Sequence, residues 1–339
     1  MNEAVSPETP QGSPQGANMS KAWHWQPEVP LVKATPFDWP PSSTNIWRWF
    51  MRSWVLNATM LTWLGLAIIS WVWLLPDMAQ MATFQIDWIG RIFAMNFMFL
   101  SIIAGGLHTY FYILRAQDQH QKFEHRDMAR GKKAFLFNDQ VKDNMFFSLA
   151  SGVTFWTGYE AVYFWAYANG YVPGVTFTEN PLWFILLFVV IPWWSSFHFY
   201  WVHRLIHWPP LYKTIHALHH RNINVGPWSG ISMHPLEHLL YFTNIAIHFV
   251  VASHPIHVLF HMYFQSLGPT TSHCGFANLL VKDKSRVALG DFFHQLHHRY
   301  FECNYGTSEL PLDKLFGTYS DGTLQSIDRI RDLKRQKHH

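Results

Sequence analysis

Residues 181–220 read PLWFILLFVVIPWWSSFHFYWVHRLIHWPPLYKTIHALHH. From Pro181 to Val202 there is no charged residue. At a rise of 1.5 Å per residue, such a run is long enough as a helix to cross a hydrocarbon core of about 30 Å. The run then empties into imidazoles: His203-Arg-Leu-Ile-His207 and, after Pro209-Pro210, His216-Ala-Leu-His219-His220. Of the 22 histidines in the chain, 17 lie at or after His203. An apolar helix that ends in a ligand-rich segment predicts an all-α, multi-pass transmembrane bundle with a histidine-rich cap at one membrane face.

Three more apolar runs precede this one. Trp54–Pro76 and Ile92–Leu114 are each 23 residues without a charge, and Met145–Ala168 carries one, Glu160. Trp and Tyr crowd the ends of these runs, as at lipid–water interfaces. The segment before the first run holds Lys21, Lys33, Arg48 and Arg52. The loop at 115–143 holds Arg115, Lys122, Arg126, Arg130, Lys132, Lys133 and Lys142, whereas the loops at 77–91 and 169–180 contribute only Arg91. Basic loops stay in the cytoplasm. This places the N-terminus, the 115–143 loop and the chain after Val202 on that side, with four spans in two hairpins. A further charge-free tract, 239–281, is broken at Pro255 and Gly268-Pro269. Pro removes a helical donor and crowds the preceding turn, so two shorter apolar helices, spanning or re-entrant, are expected there.

Composition agrees with lipid as part of the solvent. Hydrophobic residues make up 49% and aromatics 17%, but charged residues only 14%, against about 25% in a typical soluble domain. A mean hydropathy of −0.03 fits spans joined to a water-facing part. The net charge of +3 gives no footprint for nucleic acid. Cys274 and Cys303 form no CxxC pair, which argues against a disulfide framework and a zinc ribbon. Residues 1–44 are rich in Pro, Ser, Gln and Gly and lack a signal peptide's apolar core. They read as a disordered or surface-lying tail.

The histidine spacing carries the chemistry. His203/His207 form an HxxxH, and His216/His219/His220 and His294/His297/His298 each form an HxxHH. Between them lie His234 and His238 in HPLEH, and His273 in SHCG. Residues at i, i+3 and i+4 lie on one side of a helix, and neutral imidazole is a ligand for Fe, Zn, Cu and Ni. Eight histidines from the three clusters plus His273 make nine candidate metal ligands, too many for one ion and suited to two. His234 and His238 are further candidates. Desolvating so many imidazoles without a metal would be costly. Asp291, Glu237 and Asn222 are candidate acceptors for the outward ring N–H groups. His198, one turn before His203, is a candidate supporting residue. His248, His254, His257 and His261 read as buried or cavity-lining. His24, His108, His120 and His125 read as structural or exposed, and His338 and His339 as a solvated tail. Trp193, Trp194, Phe197 and Phe199 read as lipid-facing or interfacial aromatics, with a substrate path as the alternative.

Taken in order, His203/His207, His216/His219/His220, HPLE at 234–237, His273-Cys-Gly, His294/His297/His298, Asn304-Tyr-Gly306 and Asp313-Lys-Leu-Phe-Gly-Thr318 resemble the fatty acid hydroxylase / sterol desaturase superfamily over about residues 185–320. Leu312 stands where that family has Trp. The resemblance implies a helical fold with a cytoplasmic cap, two iron ions as cofactor, O₂ as co-substrate, and catalysis by the nine histidines as metal ligands. It also implies a separate electron donor, either cytochrome b5-like or a ferredoxin with its reductase. No GxGxxG follows a strand, so direct NAD(P)H binding is not expected. The substrate would be a bilayer lipid, whether sterol-like, acyl or sphingoid, or an ether lipid, and it would be hydroxylated or desaturated. HPLE, HCG and NYG lean towards the sterol desaturase branch. The expected organisation is a tail at 1–44, an N-terminal transmembrane region at 45–180, the catalytic region at 181–320 and a basic C-terminal tail at 321–339. The membrane would be the inner or plasma membrane in a bacterium and the endoplasmic reticulum in a eukaryote.

Two other classes compete. A membrane metal transporter or metal-binding protein needs ligands along its spans with acidic residues at mid-depth, and the four runs contain only Glu160. A zinc hydrolase pairs two or three histidines with a glutamate base, as in HExxH, and no HExxH occurs.

Overall fold

Helices dominate the computed structural model, which describes residues 23–32, 37, 40–50 and 58–337. Helix α1 covers Ala58–Leu74, and α2 covers Ile86–Ile113. Helix α3 starts as Gln140–Phe146, passes through a π turn at Phe147–Gly152 and continues as Val153–Ala168. Helix α4 is Pro181–Ile206, started by Asn180, whose side chain accepts from the Trp183 amide. Among the described residues, α2 (28 residues) and α4 (26 residues) are long and apolar enough to cross a membrane. The described part of the first expected span is the shorter α1, its residues 54–57 lying outside the described ones. The third is helical but buries Glu160, which accepts from Asn96 Nδ2 of α2 at 2.6 Å.

The tract at 239–281 divides at Pro255 as expected, into a short helix α6 (Pro235–Tyr241) that runs on as a 3₁₀ segment (Phe242–Phe249) and a helix α7 (Pro255–Ser272), but it does not break at Gly268-Pro269. Helix α7 runs through Gly268-Pro269 because the carbonyl that Pro269 leaves without a helical donor, that of Gln265, accepts from Tyr241 Oη at 2.7 Å. Packed against α1, α2, α3 and α4 and buried along most of its length, α7 is the central helix of the core.

The chain is also not purely α. Asn278–Val281 (β1) and Lys284–Ala288 (β2) pair antiparallel. Lys282 and Asp283 link them at φ 52° and 58°, the left-handed turn that matches strand twist.

The cap is built by α5 (Tyr212–His216, a π turn, continuing as Ala217–His220), α8 (Phe292–Tyr300) and the loop that follows α8. Within the expected tail, residues 23–32 pack on this cap: Trp23 is buried between Phe123 and Phe292, with the Arg299 guanidinium 4.3 Å over its ring. Residues 1–22 lie outside the described ones. The expected basic tail holds a helix, α9 (Leu324–Lys337), which buries Ile327 and Ile330. His338 and His339 lie outside the described residues.

Candidate metal centre

The nine histidines of the three clusters and SHCG converge, and they do so in two groups. One consists of His203, His207, His216, His220 and His297; the other of His219, His273, His294 and His298. Within the first, Nε2 atoms approach at 3.2 Å (His203–His216), 3.1 Å (His207–His220) and 3.0 Å (His220–His297). Within the second they approach at 3.1 Å (His273–His298 and His273–His294) and 3.2 Å (His294–His298). Ligands at right angles, each about 2.1 Å from a shared ion as in metal–imidazole bonds, sit about 3.0 Å apart.

Each HxxHH helix serves both groups. At 100° per residue, i+4 lies about 40° from i, while i+3 lies about 60° away on the other side. His216 and His220 therefore enter the first group and His219 the second. On α8 the division is reversed: His294 and His298 enter the second group and His297 the first.

The outward ring nitrogens explain why the inward ones are available. Nδ1 of His203 donates to the Tyr305 carbonyl at 2.6 Å, and Nδ1 of His297 to the Cys303 carbonyl at 2.6 Å. His219 donates to Ser232 O at 3.3 Å and His273 to Pro269 O at 3.0 Å. A carbonyl can only accept, so Nδ1 carries the proton and Nε2 presents a lone pair to the centre. Burial holds the imidazoles neutral, pushing His219 down to about 4 and His294, His297 and His298 well below the usual range. Neutral lone pairs facing one another at 3.0–3.2 Å repel unless a cation lies between them, so this donor set suits a metal ion in each group.

Glu237 meets the expectation for an outer acceptor: its Oε1 lies 2.7 Å from His216 Nδ1. Burial pushes the Glu237 carboxyl up and the His216 imidazole down. The carbonyl acceptors were not legible as residue types. The signal that marks them is the NYG and D-x-x-F-G-T tail. Asp313 accepts from the Tyr305 amide (2.9 Å), the Gly306 amide (2.8 Å) and Thr318 Oγ1 (2.6 Å), setting the loop that aims Tyr305 O at His203. A Cβ at Gly306 would lie 3.1 Å from both Asp313 Oδ2 and the Tyr200 ring.

The other expected residues are placed elsewhere. Asp291 caps α8 by accepting from the Phe293 amide at 3.1 Å. Asn222 accepts from Gln140 and Asn144 and donates to His219 O at 3.1 Å, tying α5 to α3 through its backbone end. His198 contacts Thr243 Oγ1 at 2.9 Å. His234 caps α6, and His238 uses both ring nitrogens, on Ser151 Oγ (3.0 Å) and Ile231 O (2.9 Å); neither joins a metal group.

Beside the histidines lies a cavity of about 340 Å³, within the range of small-molecule sites. His203, His216, His219, His273 and His294 edge it, and apolar residues of α1, α4 and α7 form much of its wall. Of the four aromatics weighed for a substrate path, Phe199 lines this cavity and stacks on His203 at 4.8 Å. Phe197 is 43% exposed, while Trp194 donates to Asn244 O at 2.9 Å and Trp193 packs on Trp49.

Comparison with known proteins converges on the same segment. Residues 184–318 match the family model described as fatty acid hydroxylase. A Delta(7)-sterol 5(6)-desaturase from Eremothecium gossypii is 29% identical over 146 residues, 42% of this chain and 39% of that protein. One from Gibberella zeae is 30% identical over 145 residues, covering 40% and 42%. A Delta(7)-sterol-C5(6)-desaturase from Nicotiana tabacum is 29% identical over 134 residues, covering 37% and 46%. The matched region thus spans less than half the length of each of these relatives. No solved structure matches the chain.

Proposed function

Because residues 184–318 are a fatty acid hydroxylase domain, part of the fatty acid hydroxylase and sterol desaturase superfamily, we propose that this chain is a membrane-embedded di-iron oxygenase that hydroxylates or desaturates a lipid. A sterol-like lipid is the substrate class that the names of the relatives favour. The observation that carries the reading is the convergence of nine imidazoles in two groups at the edge of a largely apolar cavity.

The nine histidines are the proposed ligands, five for one ion and four for the other. Two bound irons with O₂ would supply the oxidising power to break an unactivated C–H bond, which no side chain possesses. The chain does the rest. Glu237 and the carbonyls of Tyr305, Cys303, Ser232 and Pro269 hold the rings in the tautomer that leaves Nε2 free. The cavity wall holds the lipid against that face and keeps bulk water away.

Four spans, α1 to α4, would carry residues 45–180 and the start of the catalytic region at 181–320 through the bilayer. The N-terminus, the 115–143 loop and the cap would face the cytoplasm, in the inner or plasma membrane or the endoplasmic reticulum. Electrons would come from a separate donor, cytochrome b5-like or a ferredoxin with its reductase, for which the basic 115–143 loop is the docking candidate.

The test is metal content per chain after anaerobic purification from membranes, followed by lipid profiling with and without O₂. About two irons and an O₂-dependent product are expected. If two zincs are found, iron reconstitution decides. Zero or one metal in folded protein overturns the reading.

A further inference from the structure

The cavity wall carries a polar group that the metal centre does not use. Gln265, on α7, lines the cavity and is 4% exposed. Among the described residues its carboxamide has one partner: Asn244 Nδ2 donates to Gln265 Oε1 at 3.1 Å. Among the described residues Gln265 Nε2 and Asn244 Oδ1 find no hydrogen-bond partner. Turning both amides over exchanges the roles but not the count, so the pair always keeps one donor and one acceptor unspent. The Gln265 backbone carbonyl is taken by Tyr241 Oη, and Ser195 Oγ on the same wall is paired with His261. Buried amide groups are rarely left unpaired, and of these two residues only Gln265 borders the cavity.

We propose that Gln265, braced by Asn244, anchors a hydroxyl group of the lipid substrate and so sets which carbon reaches the metal centre. A hydroxyl both donates and accepts, and therefore satisfies Gln265 whichever way its amide is turned. Among the described residues the wall includes Glu237, Asp291 and Glu309 but no Lys or Arg, so a neutral hydroxyl fits it and an anionic phosphate headgroup does not. Seven residues of α7 lie between Gln265 and His273, a rise of about 12 Å along the axis. The anchored hydroxyl thus lies remote from the carbon that is oxidised.

This inference rests on the lipid oxygenase reading, and its test separates the two. The full-length protein, purified in detergent, is offered pairs of labelled lipids that differ by one hydroxyl: a 3β-hydroxysterol with its 3-deoxy counterpart, and a long-chain primary alcohol with the matching alkane. Equilibrium binding is measured for each member. Wild type is expected to bind the hydroxylated member of at least one pair about ten- to a hundred-fold more tightly. Gln265→Met, near-isosteric but without hydrogen-bonding capacity, is expected to bind both members alike with unchanged metal content. Gln265→Asn, which draws the amide back by one methylene, serves as the second variant and shifts the preference the same way. Equal binding of both members by wild type overturns the anchor and leaves the lipid reading standing. So does a hydroxyl preference that survives in a folded variant. Binding of no member of either pair overturns both.

Discussion

The bundle and the cap both bury histidines, yet they spend the ring nitrogens differently. In the bundle, His248 bonds Ser253 Oγ (2.7 Å) and His261 (2.9 Å), and His261 continues to Ser195 Oγ at 2.8 Å. His257 pairs with the Phe184 carbonyl at 2.8 Å and accepts from the His254 amide at 3.0 Å. Both nitrogens of each of these rings are used, on hydroxyls, backbone groups or one another. In the cap, at His203, His216 and His297, one nitrogen is held by a carbonyl or carboxylate while the other faces only other imidazoles. Burial and residue type do not separate a structural histidine from a ligand. The number of nitrogens left for a metal does.

The comparison breaks first, and hardest, at the proposed ligands. His297→Ala and His219→Ala are each expected to abolish turnover, with His297→Ala emptying the five-histidine group and His219→Ala the four-histidine group, while the chain still inserts in membranes. Metal analysis beside product assay checks this, and activity retained in both variants would remove the site assignment. Next comes the support of the rings. Glu237→Gln keeps shape but weakens the acceptor behind His216, and should cost about 10–100-fold in metal affinity, read by competition with a chelator. Asp313→Ala leaves the Tyr305 and Gly306 amides without their carboxylate. It should lower stability by about 1–3 kcal/mol and loosen metal through His203, seen as a lower thermal midpoint that added iron only partly restores. The smallest effect on metal is expected in the bundle: His248→Leu or His261→Phe should cost about 1–3 kcal/mol of stability and leave the metal count per chain unchanged. Loss of metal from either bundle variant would erase the distinction between the two sets.

Residue type and spacing picked out the eight converging imidazoles of the three clusters, since i, i+3 and i+4 share a helical side whatever the fold, whereas His273 has no spacing partner and His234 and His238, also candidates, stay outside both groups. The apolar runs of α2 and α4 were legible for the same reason: a hydrocarbon-length stretch needs only a count of uncharged residues. Glu237 was also legible, as the acidic residue that ends the HPLE motif at 234–237, and the fold closes it on His216. In the 239–281 tract the break at Pro255 was legible but the one at Pro269 does not occur, because a distant hydroxyl, that of Tyr241, takes up the carbonyl the proline frees.

Sequence periodicity therefore set the three spaced clusters of the histidine set and the apolar lengths, both of which follow from local geometry. The division of that set into five and four came only with the packed cap, because the angle between i+3 and i+4 directs neighbouring rings to different centres once helices from three parts of the chain are brought together. The same holds for the backbone carbonyls behind the rings and for the unspent amide of Gln265. A carbonyl has no letter in the sequence, and an amide is left unpartnered only relative to everything that folds around it.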